Sequence, residues 1–495
     1  MNKKPKILFS LDGFFLHFCL AYYLQSNLAA DFFGIIDINS KPKKFFQSQN
    51  FVNFQKIWFF HDYIKKNHLN PDLDYLQHFE ETYQINLWKL AINERFFYKH
   101  NRFYKFKKQE ILSILEQELK FFESVLDEIS PDYFLTYDPP FHHQKLLLEL
   151  CRAKGIQVLS ICGTGLENKV ILTANGATFD IDSKSINSNY SNTDKIHDAQ
   201  KNSYDLVVQK YLQNRDVGFL NKFKALKDYL LNFDTELDSN FMYYGKNKFK
   251  VLKDSLNLEL KRYKNFNFLQ KSSIPNPALN IPFIYFPMNV DEEMNILHYA
   301  PYYTNQIEVI RHIAKSIPIN YVLYVKEHIA SKLRGWMNQD YYKEILEIPN
   351  VVLVNPLFDN NILLKNSKLL VAIRGTTPLK AIKYGRASVI FGDQPFEVLP
   401  SVFKVNSLAS LPALIKEALN HKVDPSDYEK YQELLKNRLI EFNMFEYEYK
   451  RDTNFFSGRT LSNVLISDDV MDNFLQENKT LFSNLVNSHL KIISS

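Results

Sequence analysis

Short apolar runs of four to six residues alternate along this chain with longer stretches whose apolar positions recur every three or four. Ile7-Leu-Phe-Ser10 is the first short run, followed by a turn at Asp12-Gly13 and an amphipathic stretch. Lys108–Leu126 sets Ile111, Ile114, Leu115, Leu119, Phe122 and Val125 at helical spacing. Tyr133–Asp138 then reads as a strand, Phe141–Lys154 as a helix ended by Gly155, and Ile156–Ile161 as the next strand. Strand–helix–strand with short links predicts a parallel βαβ unit.

The pattern lapses over 181–275. Ser183–Asn202 is rich in Ser, Asn and Asp and reads as a surface loop, and Tyr204–Asn267 reads as helical with Lys and Leu at helical spacing. From Asn280 the alternation returns. Ile281–Phe286, Tyr321–Val325, Val351–Val354, Lys368–Ile373 and Ala387–Phe391 read as strands, separated by helices at Thr304–Ser316, Tyr341–Ile348, Asn361–Asn366 and Pro378–Tyr384. Strands that are apolar throughout suit a parallel sheet covered on both faces. Leu408–Ser495 reads as mostly helical and polar. The pattern therefore predicts an α/β chain with two Rossmann-like domains facing a cleft. These are an N-terminal one over 1–180 and a second over 276–400, with a helical connector at 181–275 and a helical C-terminal segment at 401–495.

A length of 495 residues fits this division. Sixty Lys and Arg against 55 Asp and Glu leave a net charge of +5, too weak over this length to argue for nucleic acid. Cys19, Cys151 and Cys162 form neither a disulfide framework nor a metal-ligand spacing, and read as buried thiols of a reducing compartment. The basic start and the apolar stretch Ile7–Leu24 imitate a targeting segment, but Asp12 and His17 interrupt it. An Asp at the centre of a membrane helix costs about 2.5–3.5 kcal/mol, so strand–turn–helix is the better reading. No other run approaches the ~20 apolar residues of a membrane span, and a cytoplasmic protein is expected.

Ligands of parallel α/β sheets bind outside the carboxyl ends of the strands. That rule selects Phe286–Asn289, Lys326–His328, Asn355–Pro356, Arg374–Thr377 and Gly392–Gln394. In Arg374-Gly375-Thr376-Thr377-Pro378, Gly375 permits a tight turn, Thr377 can cap the next helix, and Pro378 suits its first turn. Arg374 adds a fork that matches a phosphate, although a capped helix beside a surface Arg explains the same residues. Lys326 can neutralise phosphate and His328 can donate to it or act as acid or base, whereas Glu327 points to the opposite face if the strand continues. Asp291-Glu292-Glu293 offers a carboxylate, or simply an acidic turn. In the N-terminal half, Asp12 and Asp138-Pro-Pro-Phe-His142-His143 occupy strand-to-helix turns. The His pair lacks a third ligand, so no metal is expected. Arg95–Lys108 interleaves six basic residues with six aromatic ones. It fits either an anionic membrane or glycan, or an aromatic core stripe with a solvated basic face.

Phe286-Pro-Met-Asn-Val-Asp-Glu-Glu293, Tyr303–Arg311, Leu323-Tyr-Val-Lys-Glu-His328, Tyr342–Val354, Ile373-Arg-Gly-Thr-Thr377 and Val389-Ile-Phe-Gly392 occur in one order. This series resembles the bacterial capsule or surface polysaccharide biosynthesis family, relatives of the Kdo transferases. The resemblance covers Phe286–Gly392 and extends to the first half only in general layout. It implies a GT-B-type glycosyltransferase with a nucleotide-sugar donor as substrate, no further cofactor, and a polysaccharide or glycolipid acceptor. On that reading Lys326, His328, Arg374, Gly375, Thr376 and Thr377 hold the donor, and Glu293 and His328 are catalytic. Asp12, Asp138, His142 and His143 line the acceptor side; independently of the resemblance, the residues of Arg95–Lys108 are the candidate for a peripheral membrane contact. Two positions depart from the pattern: Ile329 follows His328 where Pro is usual, and Lys380 stands where an acid commonly accepts from the donor's ribose. A sugar-nucleotide epimerase on the same fold and a non-catalytic glycan-binding protein are the alternatives, the latter encouraged by Lys380.

Overall fold

The computed structural model describes residues 4–38, 40–66, 68, 70–181, 240–456 and 464–494. They divide into two compact units. One joins the chain up to Gly176 with 240–248 and with the residues from Arg438 onward; the other is built mainly from Phe249–Asn437.

The first unit carries a seven-stranded sheet. Its strands are β1 (Lys6–Asp12), β2 (Asp31–Asp37), β3 (Phe54–Phe59), β4 (Tyr133–Tyr137), β5 (Gln157–Gly163), β6 (Lys169–Thr173) and, from the far end of the chain, β13 (Ile440–Glu441). Their order is β13-β6-β5-β4-β1-β2-β3. The strands β1 to β5 run parallel, with Ile7 opposite both Phe32 and Tyr133. The pairs β5–β6 and β6–β13 are antiparallel. The strand β1 is apolar throughout because both faces are covered: Ile7, Phe9 and Leu11 enter one core and Leu8 the other. The helix Lys108–Ile129 turns Ile111, Leu115, Leu119 and Phe122 into the second of these cores. The first core is closed by the tail, where the helix Asp468–Ile493 buries Met471, Phe474, Leu475, Phe482 and Leu485.

The second unit carries six strands, all parallel. They are β7 (Phe283–Pro287), β8 (Val322–Lys326), β9 (Val351–Val354), β10 (Leu369–Ala372), β11 (Ser388–Ile390) and β12 (Val402–Lys404). The order β12-β11-β10-β7-β8-β9 is that of a doubly wound Rossmann sheet. The α/β class with two Rossmann-like units holds, and each sheet reverses its winding once, between β1 and β4 and between β7 and β10.

Three features differ from the sequence reading. The strands β2, β3, β6, β12 and β13 were not foreseen, the last two lying in the segment 401–495 read as helical. The loop read at Ser183–Asn202 lies outside the described residues, as does Tyr204–Asn267 up to Ser239; beyond it, Lys248–Ser272 is one long helix. The segment 401–495 is not a single piece, since it passes from the second unit to the first at Arg438. No helix among the described residues is long and apolar enough to cross a membrane.

Candidate functional site

The winding reversal of the second sheet places the loops after β7 and β10 side by side. The Asn289 side-chain amide donates to the Arg374 carbonyl at 2.8 Å, tying one loop to the other. Gln306, at the start of the helix Gln306–Ser316, brackets Asn289: its Oε1 accepts from the Asn289 N–H and its Nε2 donates to the Asn289 carbonyl, each at 2.8 Å. Gln306 Nε2 also donates to the buried Asp291. Gln306 and Asn360, each at the start of a helix, are participants the sequence reading missed, whereas Asn289 closes the Phe286–Asn289 segment that the strand-end rule selected.

Arg374 is buried, and its guanidinium lies 3.9 Å over the Tyr299 ring. Gly375 has φ +123°, a backbone region in which only Gly sits without strain. The cap differs from expectation: Thr376 is the N-cap, Thr377 the first helical residue and Pro378 the second, and no side-chain cap bond forms. The helix Thr377–Lys383 has seven residues, so it offers first-turn N–H groups rather than a strong dipole. Lys380 is half-buried on it.

Beyond β8 the alternation of the strand sorts three ionisable residues onto two faces. Lys326 is 4% exposed and donates to Asn360 Oδ1 at 2.6 Å, beside Tyr285, whose hydroxyl donates to the same oxygen at 3.0 Å. Burial pushes its ammonium down to about 8, against the pull of Asp359 and Glu327. Glu327 turns the other way, as expected. Its carboxylate accepts from Ser331 Oγ at 2.9 Å, Tyr342 Oη at 2.9 Å and the His328 N–H at 2.7 Å. Burial pushes it up to about 7 despite these bonds. His328 caps the 3-10 helix Ile329–Arg334, its Nδ1 accepting from the Ala330 N–H at 3.2 Å. In the neutral ring the proton is then on Nε2, which makes that edge a donor. Desolvation against the strand end, and then Lys326, hold its pKa below the ordinary value although the residue is exposed, so neutral is the resting form.

The three acids after β7 have separate surroundings. Asp291 is buried against Gln306, Glu292 pairs with Arg334, and the half-buried Glu293 is the N-cap of the short helix Met294–Leu297 without bonding it.

In the first unit, Asp12 ends β1 and accepts from the Phe14 N–H at 2.9 Å and Tyr137 Oη at 2.5 Å. Burial pushes it up to about 6, with these two donors opposing. Asp138 is half-buried just past β4. His142 and His143 do not line an open acceptor site: 0% and 2% exposed, they are enclosed by the fold. His142 Nδ1 meets Glu94 at 2.8 Å and its Nε2 meets Glu118 at 3.0 Å. Burial works against its charge, but Glu118 and then Glu94 outweigh it and push the imidazole up to about 10. Glu94 falls to about 2 although burial opposes this, because the imidazolium faces it. His143 Nε2 meets Asp37 at 2.7 Å, and His61 meets the same carboxylate at 2.9 Å. Glu118 also supplies the third group that the His pair lacked, since it, His142 and His143 each bring a ligand-type atom within 4.8 Å of the others. As an imidazolium, His142 donates Nδ1–H to Glu94 and Nε2–H to Glu118 there.

The aromatic residues of Arg95–Lys108 mostly turn inward. Phe97 is buried, and Tyr104 and Phe106 stack about Tyr244. Arg95 donates to the Pro140 carbonyl at 2.7 Å and lies over Phe141. Only Tyr98 among these aromatics is strongly exposed.

No family model and no curated protein matches the chain. Among solved structures, it is similar to the Thermosulfurimonas dismutans KpsC, a beta Kdo 2,7 transferase, at 12% identity and TM-score 0.32, over 74% of this chain and 92% of that one. It is also similar to the UDP-GlcNAc 2-epimerase of Neisseria meningitidis bound to UDP-GlcNAc, at 13% identity and TM-score 0.27, over 86% and 94%. The Methanocaldococcus jannaschii UDP-GlcNAc 2-epimerase in complex with UDP-GlcNAc and UDP follows at 13% and 0.26, over 87% and 99%. These scores are low, and the chemistry of the site is read from its own side chains.

Proposed function

We propose that the second unit binds a nucleotide-activated sugar at the β7/β10 winding reversal, and that the chain is a glycosyltransferase of surface polysaccharide assembly. One observation carries this reading. Lys326, His328 and Arg374, a cation, a neutral N–H donor and a second cation, stand at the carboxyl edge of one doubly wound sheet, beside a glycine in a conformation that brings backbone close. The ordered motifs of Phe286–Gly392 support the transferase form of the reading.

In sugar transfer the bond between the anomeric carbon and the leaving phosphate oxygen breaks, and negative charge grows on that oxygen. Arg374 presents a planar fork to phosphate and Lys326 a point charge. The His328 Nε2–H donates to the developing oxyanion. Such preset donors act only where charge develops, and removal of one costs about 2.7–4 kcal/mol in a well-studied enzyme. Thr376 and Thr377 add N–H groups and hydroxyls, and Glu293 is the proposed carboxylate. Asp12 and Asp138 are the proposed acceptor-side groups of the first unit.

Calorimetry with uridine, cytidine, guanosine and thymidine nucleotides tests the site. One nucleotide class is expected to bind, at least tenfold weaker to a His328→Ala, Arg374→Ala double variant. Equal binding of all nucleotides by both proteins, or by neither, refutes the assignment. Product analysis with and without a glycan acceptor then separates transfer from epimerisation, which needs no acceptor.

A further inference from the structure

The helix Lys248–Ser272 is held from behind. Leu269 is fully buried, with Phe266 and Phe268 packed on the second unit's core. Arg262 Nε donates to the Lys332 carbonyl at 2.9 Å, and Asn265 Nδ2 donates to the Gly335 carbonyl at 3.1 Å. Leu258 lies so close to Gly335 that a Cβ there would come within 2.8 Å of it.

The outer face of this helix is apolar where a surface helix is ordinarily polar. Phe249, Leu256, Leu260 and Tyr263 are 84%, 69%, 59% and 69% exposed. At 100° per residue these four fall within an arc of about 60°. Lys253, Lys264, Lys250 and Lys261 follow in that order along one flank of the ridge. The helix carries seven Lys and Arg and two Asp and Glu, 7 − 2 = +5, which equals the net charge of the whole chain, so the remaining residues sum to zero.

We propose that this ridge docks on an anionic lipid surface, with its four apolar side chains at the acyl boundary and the lysines among the headgroups. Ridge and lysine row together match an interfacial helix, whose apolar strip enters the boundary while its cations meet anionic lipid. A second copy of the chain fits less well, because apposed ridges bring like-charged lysine rows together. Nucleic acid needs the cations but not an apolar centre. The proposal stands apart from the nucleotide site and survives its failure. It also moves the membrane contact away from Arg95–Lys108, whose aromatic residues are largely spent inside the fold.

Cosedimentation of the full chain with vesicles tests it, using phosphatidylcholine alone or with one-third phosphatidylglycerol. The chain is expected to partition at least tenfold more strongly onto the anionic vesicles, and less so in high salt. Lys253→Gln with Lys261→Gln and Lys264→Gln is expected to weaken this roughly a hundredfold, from about 1 kcal/mol per lysine. Leu256→Ser with Leu260→Ser is expected to weaken binding to both vesicle types. These side chains are exposed, so circular dichroism and the unfolding midpoint stay unchanged. Equal partition of wild type and variants overturns the proposal, as does loss of binding in Lys99→Gln, Lys105→Gln, Lys107→Gln instead. Lipid-free dimers dispersed by the Leu pair assign the face to a second copy. A fluorophore on Leu256→Cys that already reports an apolar setting before vesicles are added assigns it to the chain's own residues. Either result also overturns it.

Discussion

Replacing His142 by Gln removes the charge between Glu94 and Glu118 while keeping a side chain of similar reach. The magnitude follows from the proton it holds. The imidazole is ordinarily near 6.5 and is pushed up to about 10 in the fold. A raised pKa means that folding favours the protonated ring, so the stabilisation is complete below 6.5 and fades as the pH rises towards 10. Linkage gives about 4 kcal/mol at pH 7 and roughly a third of that at pH 9. An independent route agrees, since removing one partner of a buried ion pair costs roughly 3–5 kcal/mol. Hydrogen exchange of β4 in urea measures the opening of the first unit, and β8 in the second unit serves as the internal reference. The expected result is a loss of about 4 kcal/mol in β4 at pH 7 that shrinks to about a third at pH 9, with β8 unmoved. A loss equal at both pH values would show a packing defect instead of a charge, and a loss under about 1 kcal/mol would refute the ion-triad account altogether.

The other predictions concern the second unit. Burial holds the Lys326 ammonium at about 8, so nucleotide affinity should be full below that pH and fall between pH 8 and 9.5, with Lys326→Met weak and flat across the range. Burial raises Glu327 from the ordinary 4.5 to about 7, so its charge costs stability that grows as the pH rises from about 4.5 and is complete above about 7. Glu327→Gln should then leave stability nearly unchanged at pH 4 and raise it by up to about 3 kcal/mol at pH 8, read from exchange of β8. Gly375→Ala places a Cβ at φ +123° and should cost about 1–3 kcal/mol, with nucleotide binding lost before the unit unfolds.

Legibility in the sequence followed the range of the physics involved. The strand β8 could be read from its apolar run, and its alternation of two places Lys326 and Glu327 on opposite faces. Gly375 was legible because a tight turn after an apolar strand leaves few other choices. His142 was not, because its partners lie 48 and 24 residues away on other segments, and only the packing of those segments decides whether it faces solvent. The inward turn of the aromatic residues in Arg95–Lys108 was one of the two readings the sequence left open, and the packing decides for it. Asp31–Asp37 is apolar between two acids and pairs along its whole length with β1, a strand signal the sequence reading passed over. The assignment of the cap to Thr377 missed by one residue, as helix ends often do.

The return of the chain to its first sheet has a cost in time. The strands β1 to β6 are complete by Thr173, but the core they share with Phe442, Met471, Phe474 and Phe482 stays open until those residues are made. At about 5–20 residues per second, translation takes tens of seconds to cover that distance. The second unit, contiguous in sequence, is synthesised in the interval. During vectorial synthesis the N-terminal half is therefore the last to be sealed, and Ile7 and Phe9 of β1, with Phe18 of the helix Leu16–Gln25, wait in an unclosed core that a chaperone can hold.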